Sequence, residues 1–264
     1  MARSSKKQKA ESDEGNHGIY VYGIVPADLE VEKNAKGIGD PPAKVKVIRE
    51  GDIAALVSPI KTDEPLGKPE CLQAHAQLLD GTASVAPVLP MRFGAVLTDE
   101  DAVAEELLRA NHDEFASALS QLEGHAEFII KGRYDEQAIL SEVLSESEEA
   151  RELREDIRAK SEDAGRNSRI ALGELINKAL EAKRSADTQK VLKDIEGLVA
   201  QVNVREPTHE LDAVYLAVLA EVERQDDLEA AVEKLGENWE GRVELRLRGP
   251  LAAYDFVVTG KSGG

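Results

Sequence analysis

The N-terminal part of the chain alternates between apolar and polar positions in the way that β-strands do. Residues 17–25 are apolar on both faces, which predicts a central strand. Residues 44–49 and 53–57 alternate on either side of Glu50-Gly51-Asp52, which is typical of a tight turn, so they predict a hairpin. Pro69 then occupies a favourable first position for a helix.

A later apolar stretch, Val85–Val96, cannot form a helix. Pro87 and Pro90 fix their own φ angles and push the residue before each into extended geometry. We therefore predict a short, buried, central strand over 85–93 that ends at Phe93-Gly94. The hydroxyl and acids of residues 98–101 follow it, and such side chains cap the first free N–H groups of a helix.

The elements of this half follow the order strand, loop, strand, strand, helix, strand. That is the order of a ferredoxin-like unit, βαββαβ, in which a loop over 27–42 replaces the first helix. The C-terminal half repeats the order with a much larger first helical region, although the halves share no residue-level identity. Its apolar spacing predicts these elements: helix 99–122, strand 126–131, helix 135–144, a charged stretch 147–183 that is one helix or two broken near Gly165 or Gly173, helix 186–199, strand 203–205, strand 213–222, helix 226–239 and strand 241–248.

The predicted fold class is α+β with two domains. The N-terminal domain is ferredoxin-like without its first helix, and the C-terminal domain is a ferredoxin-like α+β unit with an enlarged helical region. A chain of 264 residues has room for two such cores. The predicted limits are a disordered tail over 1–16, the N-terminal domain over 17–97, a connecting helix over 98–124, the C-terminal domain over 125–259 and a disordered tail over 260–264.

The chain is strongly acidic, with 33 Lys and Arg against 51 Asp and Glu and a net charge of −18. Nucleic-acid phosphates and anionic membrane surfaces are repelled by such a charge, so we expect neither as a partner. Apolar runs stay well short of the roughly 20 residues that span a bilayer, and residues 1–16 lack the apolar segment of a signal peptide. A single cysteine, Cys71, fits a reducing compartment, and we expect a cytoplasmic protein.

The sequence contains no constellation that predicts catalysis. The five histidines lack the spacing of a zinc site. His75 follows Cys71 by one helical turn, but a metal site needs two further ligands, so we interpret His75 as a helix residue that contacts the sheet. Gly37-Ile38-Gly39 matches neither a dinucleotide-binding fingerprint nor a phosphate loop. We therefore expect no enzyme, no metal site and no cofactor.

Three stretches carry a family resemblance: Gly18–Pro26, Pro87–Gly94, and Arg248-Gly249-Pro250 followed by Tyr254-Asp255-Phe256. Taken in this order, they resemble the gas vesicle synthesis proteins of the GvpL/GvpF type. The three motifs lie far apart and span most of the chain. The charged region 146–169 matches no motif of the family, so the resemblance assigns it no role.

The resemblance implies an accessory protein of gas vesicle assembly. Such a protein contacts the small, very hydrophobic shell protein as a chaperone-like factor or minor vesicle component, and works beside other accessory proteins. An exposed sheet edge or an apolar groove would shield the shell protein until it joins the growing wall. Two other classes stay open: a ligand-sensing module, because ferredoxin-like units bind small effectors, and, third, an enzyme. Shell-protein genes next door would favour assembly, and a biosynthetic operon would favour sensing.

We name four candidate contact residues for the shell protein: Arg92, Phe93, Tyr254 and Phe256. Each of the two stretches that hold them ends in an aromatic beside a Gly or Pro turn, and Arg and aromatic side chains are enriched at interfaces. The chain has only 4 Phe and 5 Tyr, so this concentration is not expected from composition. A competing interpretation is that Tyr254 and Phe256 seal the core after the last strand, while Arg92 stacks on an aromatic or caps carbonyl groups.

Overall fold

The computed structural model describes residues 17–32, 35–39, 41–63, 65–161 and 164–257. The predicted tails 1–16 and 260–264 lie outside the described residues. The chain forms two compact units, the first built from residues up to Glu127 together with those from Gly249 onward, and the second from Phe128–Arg248. The domain limits drawn from the sequence, 17–97, 98–124 and 125–259, stay a prediction.

The first unit contains a five-stranded sheet. Its strands are β1 (His17–Pro26), β2 (Lys46–Glu50), β3 (Ile53–Lys61), β4 (Leu89–Pro90) and β5 (Val96–Leu97). They lie in the order β2-β3-β1-β4, and β5 also pairs with β1, so β1 is central as its two apolar faces predicted. The first and third strands of the unit are therefore in the middle, which is the order of a ferredoxin-like sheet.

The strand expected over 85–93 is wrong in length and in position. Only Leu89–Pro90 pair with β1, and they lie at an edge of the sheet instead of its centre. Pro87 and Pro90 have no N–H to donate, so a longer ladder is not available to this segment. Val88 and Leu89 are nevertheless buried as predicted, each with 2% of its surface exposed, whereas Val85 is 77% exposed.

Helix α1 (Pro69–Ala83) covers one face of this sheet. Pro69 starts the helix, since Lys68 before it is extended and a proline at the first helical position gives up no hydrogen bond. The side chains of His75, Leu79 and Ala83 are buried against a core that includes Tyr20, Tyr22, Val25 and Leu56. The loop after β1 takes the place of the other helix of a ferredoxin-like unit, as the sequence predicted.

The segment over 99–122 is helical as expected, but it is a series of four helical segments. The prediction of one regular helix was therefore wrong. Asp99 caps the series through its carboxylate, which accepts from the N–H of Ala102 at 2.8 Å. Val103 and Leu108 are both fully buried, and a π-helical turn places residues five apart on one side. The segments are α2 (Glu100–Ala102), a π-helix (Val103–Leu108), a 3-10 turn (Arg109–Asn111) and α3 (His112–Gln121).

The second sheet has the strand order β7-β8-β6-β9, which again places the first and third strands of its βαββαβ order in the centre. Its strands are β6 (His125–Tyr134), β7 (Gln201–Val204), β8 (Asp212–Glu221) and β9 (Val243–Leu251). Its helices are α4 (Glu136–Glu146), α5 (Glu148–Ala159), α6 (Arg166–Asp194) and α7 (Gln225–Asn238), with a 3-10 turn at Val222–Arg224.

The charged region is two helices that part at Gly165, one of the two predicted positions. Gly173 lies inside α6, where helices tolerate an isolated glycine at some cost. The separate helix expected over 186–199 is wrong, because α6 continues without a break to Asp194. β9 also extends past the expected end at Arg248, through Gly249-Pro250, whose peptide bond is cis.

A polar network ties the helices of the second unit to its sheet. The Arg242 guanidinium lies 2.8 Å from a carboxylate oxygen of Glu142 in α4 and 2.9 Å from one of Asp187 in α6. The Tyr134 hydroxyl at the end of β6 donates to Asp187 at 2.7 Å, and Lys183 pairs with Glu142 at 2.5 Å. Arg242 also lies over the Tyr134 ring, 5.4 Å from its centre.

Candidate functional site

An aromatic cluster surrounds His75, which is almost fully buried between α1 and the first sheet. The Tyr22 ring stacks on the imidazole with centres 5.7 Å apart, and the Tyr20 and Phe93 rings meet it edge-on at 5.7 and 5.6 Å. Tyr20 and Tyr22 are two residues apart on β1, so the alternation of the strand places them on one face, with ring centres 4.9 Å apart. The cluster forms the centre of this unit's core.

Both imidazole nitrogens of His75 have tyrosine partners. Nδ1 lies 2.9 Å from the Tyr20 hydroxyl, and Nε2 lies 3.0 Å from the Tyr254 hydroxyl. The Tyr20 oxygen also accepts from the N–H of Gly94 at 3.1 Å. One donor and one acceptor on the ring suit a neutral imidazole, which can satisfy both contacts.

Burial keeps this cluster uncharged. It lowers the pKa of His75, outweighing a hydrogen bond with the Met91 backbone that acts in the other direction, so the ring is neutral at pH 7. Burial also raises the pKa of Tyr20 to about 12 and raises the pKa of Tyr254. A neutral histidine held by protonated tyrosines is a packed structural unit, with no ionised base or nucleophile in it.

Metal chemistry finds no support in the described part of the chain. There, no group of three or more His, Cys, Asp and Glu side chains converges on a point where an ion would bind. Cys71 is a free cysteine, and its neighbour by one helical turn, His75, has both nitrogens engaged with tyrosines. The geometry agrees with the interpretation of His75 as a helix residue that contacts the sheet.

Of the four predicted contact residues, the structure brings two together. Phe93 meets the His75 ring edge-on, and Tyr254 reaches the same ring with its hydroxyl while 45% of its surface stays exposed. Arg92 is exposed. Phe256 is half-buried and lies in a turn, where its own N–H donates to the Ala253 carbonyl at 3.2 Å. Whether these residues touch a partner stays a prediction.

Beside α1 the first unit holds a large apolar groove, with a volume of about 1320 Å³. It lies over β3, between the helix and the loop after β1. Its apolar lining includes Val31, Ile38, Ile60, Cys71, Ala74 and Leu78. Of these, Cys71, Ala74 and Leu78 belong to α1 and form a row beside the one that carries His75 and Leu79.

The groove exists because the first helix of the ferredoxin-like order is absent. A loop covers that part of the sheet instead. The N–H of Ile38 in this loop donates to the Tyr22 hydroxyl at 2.7 Å, and that hydroxyl lies 2.8 Å from Ser58 Oγ. Gly37 lets the loop approach, since a Cβ there would lie 2.3 Å from the same hydroxyl. A loop pinned this way fills less volume than a helix, so apolar side chains of α1 and β3 border open space.

Sequence reasoning found the loop but not the groove. The signal was the width of the apolar stripe on α1, since Cys71, Ala74 and Leu78 add a second apolar row beside His75 and Leu79. Among the residues that the structure describes, the rim of the groove carries three charges of each sign, Glu30, Glu32 and Glu70 against Lys36, Lys61 and Lys68. The surface is therefore locally balanced in a chain whose net charge is −18.

Comparison with known proteins places the chain. The sequence pattern of the family described as "Gas vesicle synthesis protein GvpL/GvpF" matches residues 18–258. The chain belongs to the GvpL/GvpF family. Gas vesicle protein F of Streptomyces sp. (strain CB03234) is 33% identical over 242 residues, covering 90% of this chain and 98% of that protein. Gas vesicle protein L of the same strain is 27% identical, covering 90% of this chain and 92% of that protein.

The fold is that of solved GvpF structures. The crystal structure of GvpF from Anabaena sp. PCC7120 superposes with a TM-score of 0.75 at 23% identity, covering 90% of this chain and 97% of that one. Its counterpart from Microcystis aeruginosa gives 0.74 at 21% identity, with 90% and 98% covered. The predicted α+β class and the predicted family are both confirmed.

Family membership supports an accessory role in gas vesicle formation. In the ranges that the structure describes, no helix is both long enough and apolar enough to cross a membrane.

Proposed function

We propose that this protein is an accessory factor of gas vesicle assembly that binds the hydrophobic shell protein, as a chaperone-like factor or minor vesicle component. The groove beside α1 is the observation that carries the proposal. Apolar grooves that are rimmed by polar residues are typical of surfaces that receive a partner. The proposal places the protein in the cytoplasm, at the gas vesicle and beside its other accessory proteins.

The volume of the groove is close to that of a short helix. An α-helix with side chains is about 10 Å across and rises about 5.4 Å per turn, so three turns fill roughly 1300 Å³. The groove measures about 1320 Å³ and borders the loop that replaces the first helix of the ferredoxin-like order. An apolar helix of the shell protein would therefore restore the second helix that covers such a sheet.

The balanced rim suits a hydrophobic ligand. The three lysines and three glutamates among the described rim residues surround an apolar floor, and together they neither attract nor repel a segment of low charge. Binding then depends on the apolar area that is removed from water. Because the groove is open on one side, a bound segment can leave it again. A factor of this kind shields a shell subunit and releases it to the growing wall.

The surface of Arg92, Phe93, Tyr254 and Phe256 remains a second proposed contact. Phe93 and Tyr254 of this surface lie on the His75 side of α1, while the groove lies on the side of Cys71, Ala74 and Leu78. Both belong to the first unit. A shell-protein segment that leaves the groove across α1 would meet this aromatic surface.

A capture experiment tests the proposal. The full chain is immobilised and its retention of shell protein is compared among three variants. Ala74→Trp fills the groove, and Val85→Asp places a charge at its edge, on a side chain that is 77% exposed and so tolerates it. We expect both to fold, by circular dichroism, and to lose capture by about tenfold or more.

Leu72→Asp is the matched control. Leu72 is on the same helix and 54% exposed, but it faces away from the groove lining. It should retain shell protein at parental levels. Equal capture by the parent, Ala74→Trp and Val85→Asp would rule out the groove as the binding surface, and no capture by the parent would rule out the proposal.

A second candidate function rests on the same observation. The apolar groove also suits a small effector, which would make the protein a ligand-sensing module. Native mass spectrometry of the protein purified from its own host would reveal a co-purifying apolar molecule whose release by Ala74→Trp, without any effect on shell-protein capture, favours sensing.

A further inference from the structure

One edge of the second sheet is an exposed strand. β7 (Gln201–Val204) is the outer member of the order β7-β8-β6-β9, and all four of its residues are exposed. Within the ranges that the structure describes, β8 is the strand that pairs with it and nothing continues the sheet beyond it. The outer side of such a strand presents N–H and C=O groups to which a further strand can bind.

β7 lacks the features that protect the other sheet edges. β2 carries three charged residues in five, β4 and β5 are only two residues long, and β9 carries Glu244, Arg246 and Arg248. Short strands, charges and prolines at an edge discourage the addition of another strand. Residues 197–204, in contrast, contain neither a charge nor a proline in a chain of which 32% is charged. The composition of this edge therefore leaves it open to strand pairing.

The two valines of β7 lie on a face of the sheet that is buried one strand further in. Val202 is paired with Val218 of β8, and Val204 with Leu216. Residues directly opposite each other in antiparallel strands share a face. Val218 and Leu216 are almost fully buried, whereas Val202 is 37% and Val204 is 57% exposed. The layer that buries this face at β8 therefore stops short of β7.

The hydrogen bonds to β8 determine which backbone groups of β7 face outward. Arg205 directly follows β7, and its N–H donates to the Tyr215 carbonyl at 2.9 Å, so these two residues form a hydrogen-bonded pair. Hydrogen-bonded pairs alternate along an antiparallel ladder. Every second residue back from Arg205 therefore faces β8, and the residues between them, Val202 and Val204, direct their N–H and C=O groups away from the sheet.

We propose that β7 pairs antiparallel with β7 of a second copy of this chain, which joins two four-stranded sheets into one continuous sheet. The register that uses every outward group of β7 places Val202 opposite Val204 of the second copy, and each such pair exchanges two N–H···O=C bonds. Asn203 of one copy then lies opposite Asn203 of the other, at the twofold axis.

In this register the edge is complementary to itself. Val202 and Val204 of the two copies form β-branched cross-strand pairs on one face, which removes part of their exposed surface from water. On the other face the nearest charge, Arg205, lies opposite the uncharged Gln201, so like charges are not directly opposed across the pair. Two chains that each carry a net charge of −18 can therefore meet at this strand.

The association is expected to be weak and reversible. A pairing of short strands covers less area than the roughly 1,200–2,000 Å² of a stable protein interface, so we expect a micromolar or weaker Kd. β7 belongs to the second unit, and the groove belongs to the first. The pairing therefore does not depend on the groove or on the shell protein.

Analytical ultracentrifugation of the full chain tests the pairing at physiological salt, which screens the repulsion between two acidic chains. We expect the mean mass to rise from 28.7 kDa towards twice that value as the concentration increases from about 1 μM to about 1 mM. Val204→Lys adds a charge of the kind that protects natural edges, and should weaken association about tenfold or more. Ile170→Lys, the matched control, makes the same change on a 52% exposed side chain of α6 and should associate like the parent.

A disulfide test reports on the register. In a Cys71→Ser background, Asn203→Cys faces its own copy in a pair whose Cα atoms are about 4.5 Å apart, a distance that a disulfide spans. Gln201→Cys is the control, because its counterpart lies about 14 Å away along the opposite strand. Oxidised glutathione should therefore link Asn203→Cys into a dimer and leave Gln201→Cys monomeric.

Three results would each overturn the proposal. They are a parent that keeps the monomer mass at every concentration, an Ile170→Lys variant that loses association as fully as Val204→Lys, and equal cross-linking of the two cysteine variants. If Val204→Lys does not fold by circular dichroism, the parent mass and the disulfide test decide without it. A parent that stays monomeric but binds an extended peptide at β7 would assign this edge to another protein.

Discussion

His75 Nε2 lies 3.0 Å from the hydroxyl of Tyr254, although the two residues are 179 positions apart. Two further bonds fasten the same C-terminal segment: the N–H of Ala252 donates to Asp80 in α1 at 3.1 Å, and that of Asp255 donates to Glu127 at 2.9 Å. The segment after β9 is therefore part of the first unit, where it packs against α1. Its aromatic end completes the cluster around His75.

Removing the Tyr254 hydroxyl should destabilise this unit. Tyr254→Phe keeps the ring but leaves one His75 nitrogen without its partner, which costs about 1 kcal/mol in the free energy of unfolding. Urea denaturation measures the change. Arg92→Ala, on an exposed side chain, is the control and should stay within about 0.5 kcal/mol of the parent. A Tyr254→Phe variant as stable as the parent that fails to capture shell protein would instead assign Tyr254 a contact role.

The stability of the protein should fall as the solution becomes acidic, and His75 should account for part of the loss. Burial lowers the pKa of His75 in the folded state, so the unfolded chain binds this proton more readily. The stabilising contribution is present above the unfolded pKa of about 6.5 and is lost as pH falls below it, at up to about 1.4 kcal/mol per pH unit. Tyr20 and Tyr254, which face the ring, stay protonated throughout, since burial raises the pKa of both.

His75→Gln isolates this effect, because glutamine keeps hydrogen-bonding groups but does not titrate. Unfolding free energies of the parent and the variant are measured from pH 7.5 to pH 5, and their difference should shrink toward low pH. His112 acts in the opposite direction, since bonds to Asp113 and Asp52 raise its pKa, but it is common to both proteins and cancels. If the difference stays constant with pH, the pKa of His75 is the same in the folded and unfolded states, and the predicted lowering is wrong.

The sequence was sufficient for the local elements whose patterns are strong. β1, the β2–β3 hairpin, α1 and the helixless loop were all predicted near their observed places. β4 was overestimated because burial of Val88 and Leu89 was taken for strand pairing, whereas pairing needs N–H groups that Pro87 and Pro90 lack. The π-helix at Val103–Leu108 was missed because its apolar spacing differs little from that of an α-helix over six residues.

The site was harder to predict for a physical reason. His75 meets Tyr20 and Tyr254 across separations of 55 and 179 residues, and one sequence carries no signal of such pairings. The groove is a volume that no side chain fills, so it depends on how closely the loop pinned by Tyr22 approaches α1. Composition and spacing describe what is present along the chain, and they do not measure the space between elements.

Leu89→Asp should be strongly destabilising. Leu89 is 2% exposed in β4 and pairs with Ile24 of the central strand, so an aspartate there buries an unpaired charge. The effective penalty is several kcal/mol, and little soluble protein should be recovered. Val85→Asp, four residues earlier at 77% exposure, is the matched control and should melt near the parent temperature. Normal expression and melting of Leu89→Asp would show that β4 is not buried.

Arg242 should be important to the second unit. Arg242→Met keeps the length of the side chain but leaves the carboxylates of Glu142 and Asp187 without their shared cation. Because the pair is only partly buried, the expected loss is roughly 2 kcal/mol, below that of a fully buried pair. Thermal unfolding measures it, with Arg246→Met on an exposed strand position as control. Equal melting temperatures of the two variants would contradict a stabilising role for the network.

Cys71 reports most directly on the central claim, that the groove receives the shell protein. It is the single cysteine of the chain, and its half-buried side chain lines the groove. The rate at which a small alkylating reagent modifies Cys71 is measured by mass spectrometry of the full chain at increasing shell-protein concentration. The account predicts a saturating fall in that rate, abolished in Val85→Asp and preserved in Leu72→Asp. An unchanged rate at concentrations where the two proteins co-purify would contradict it.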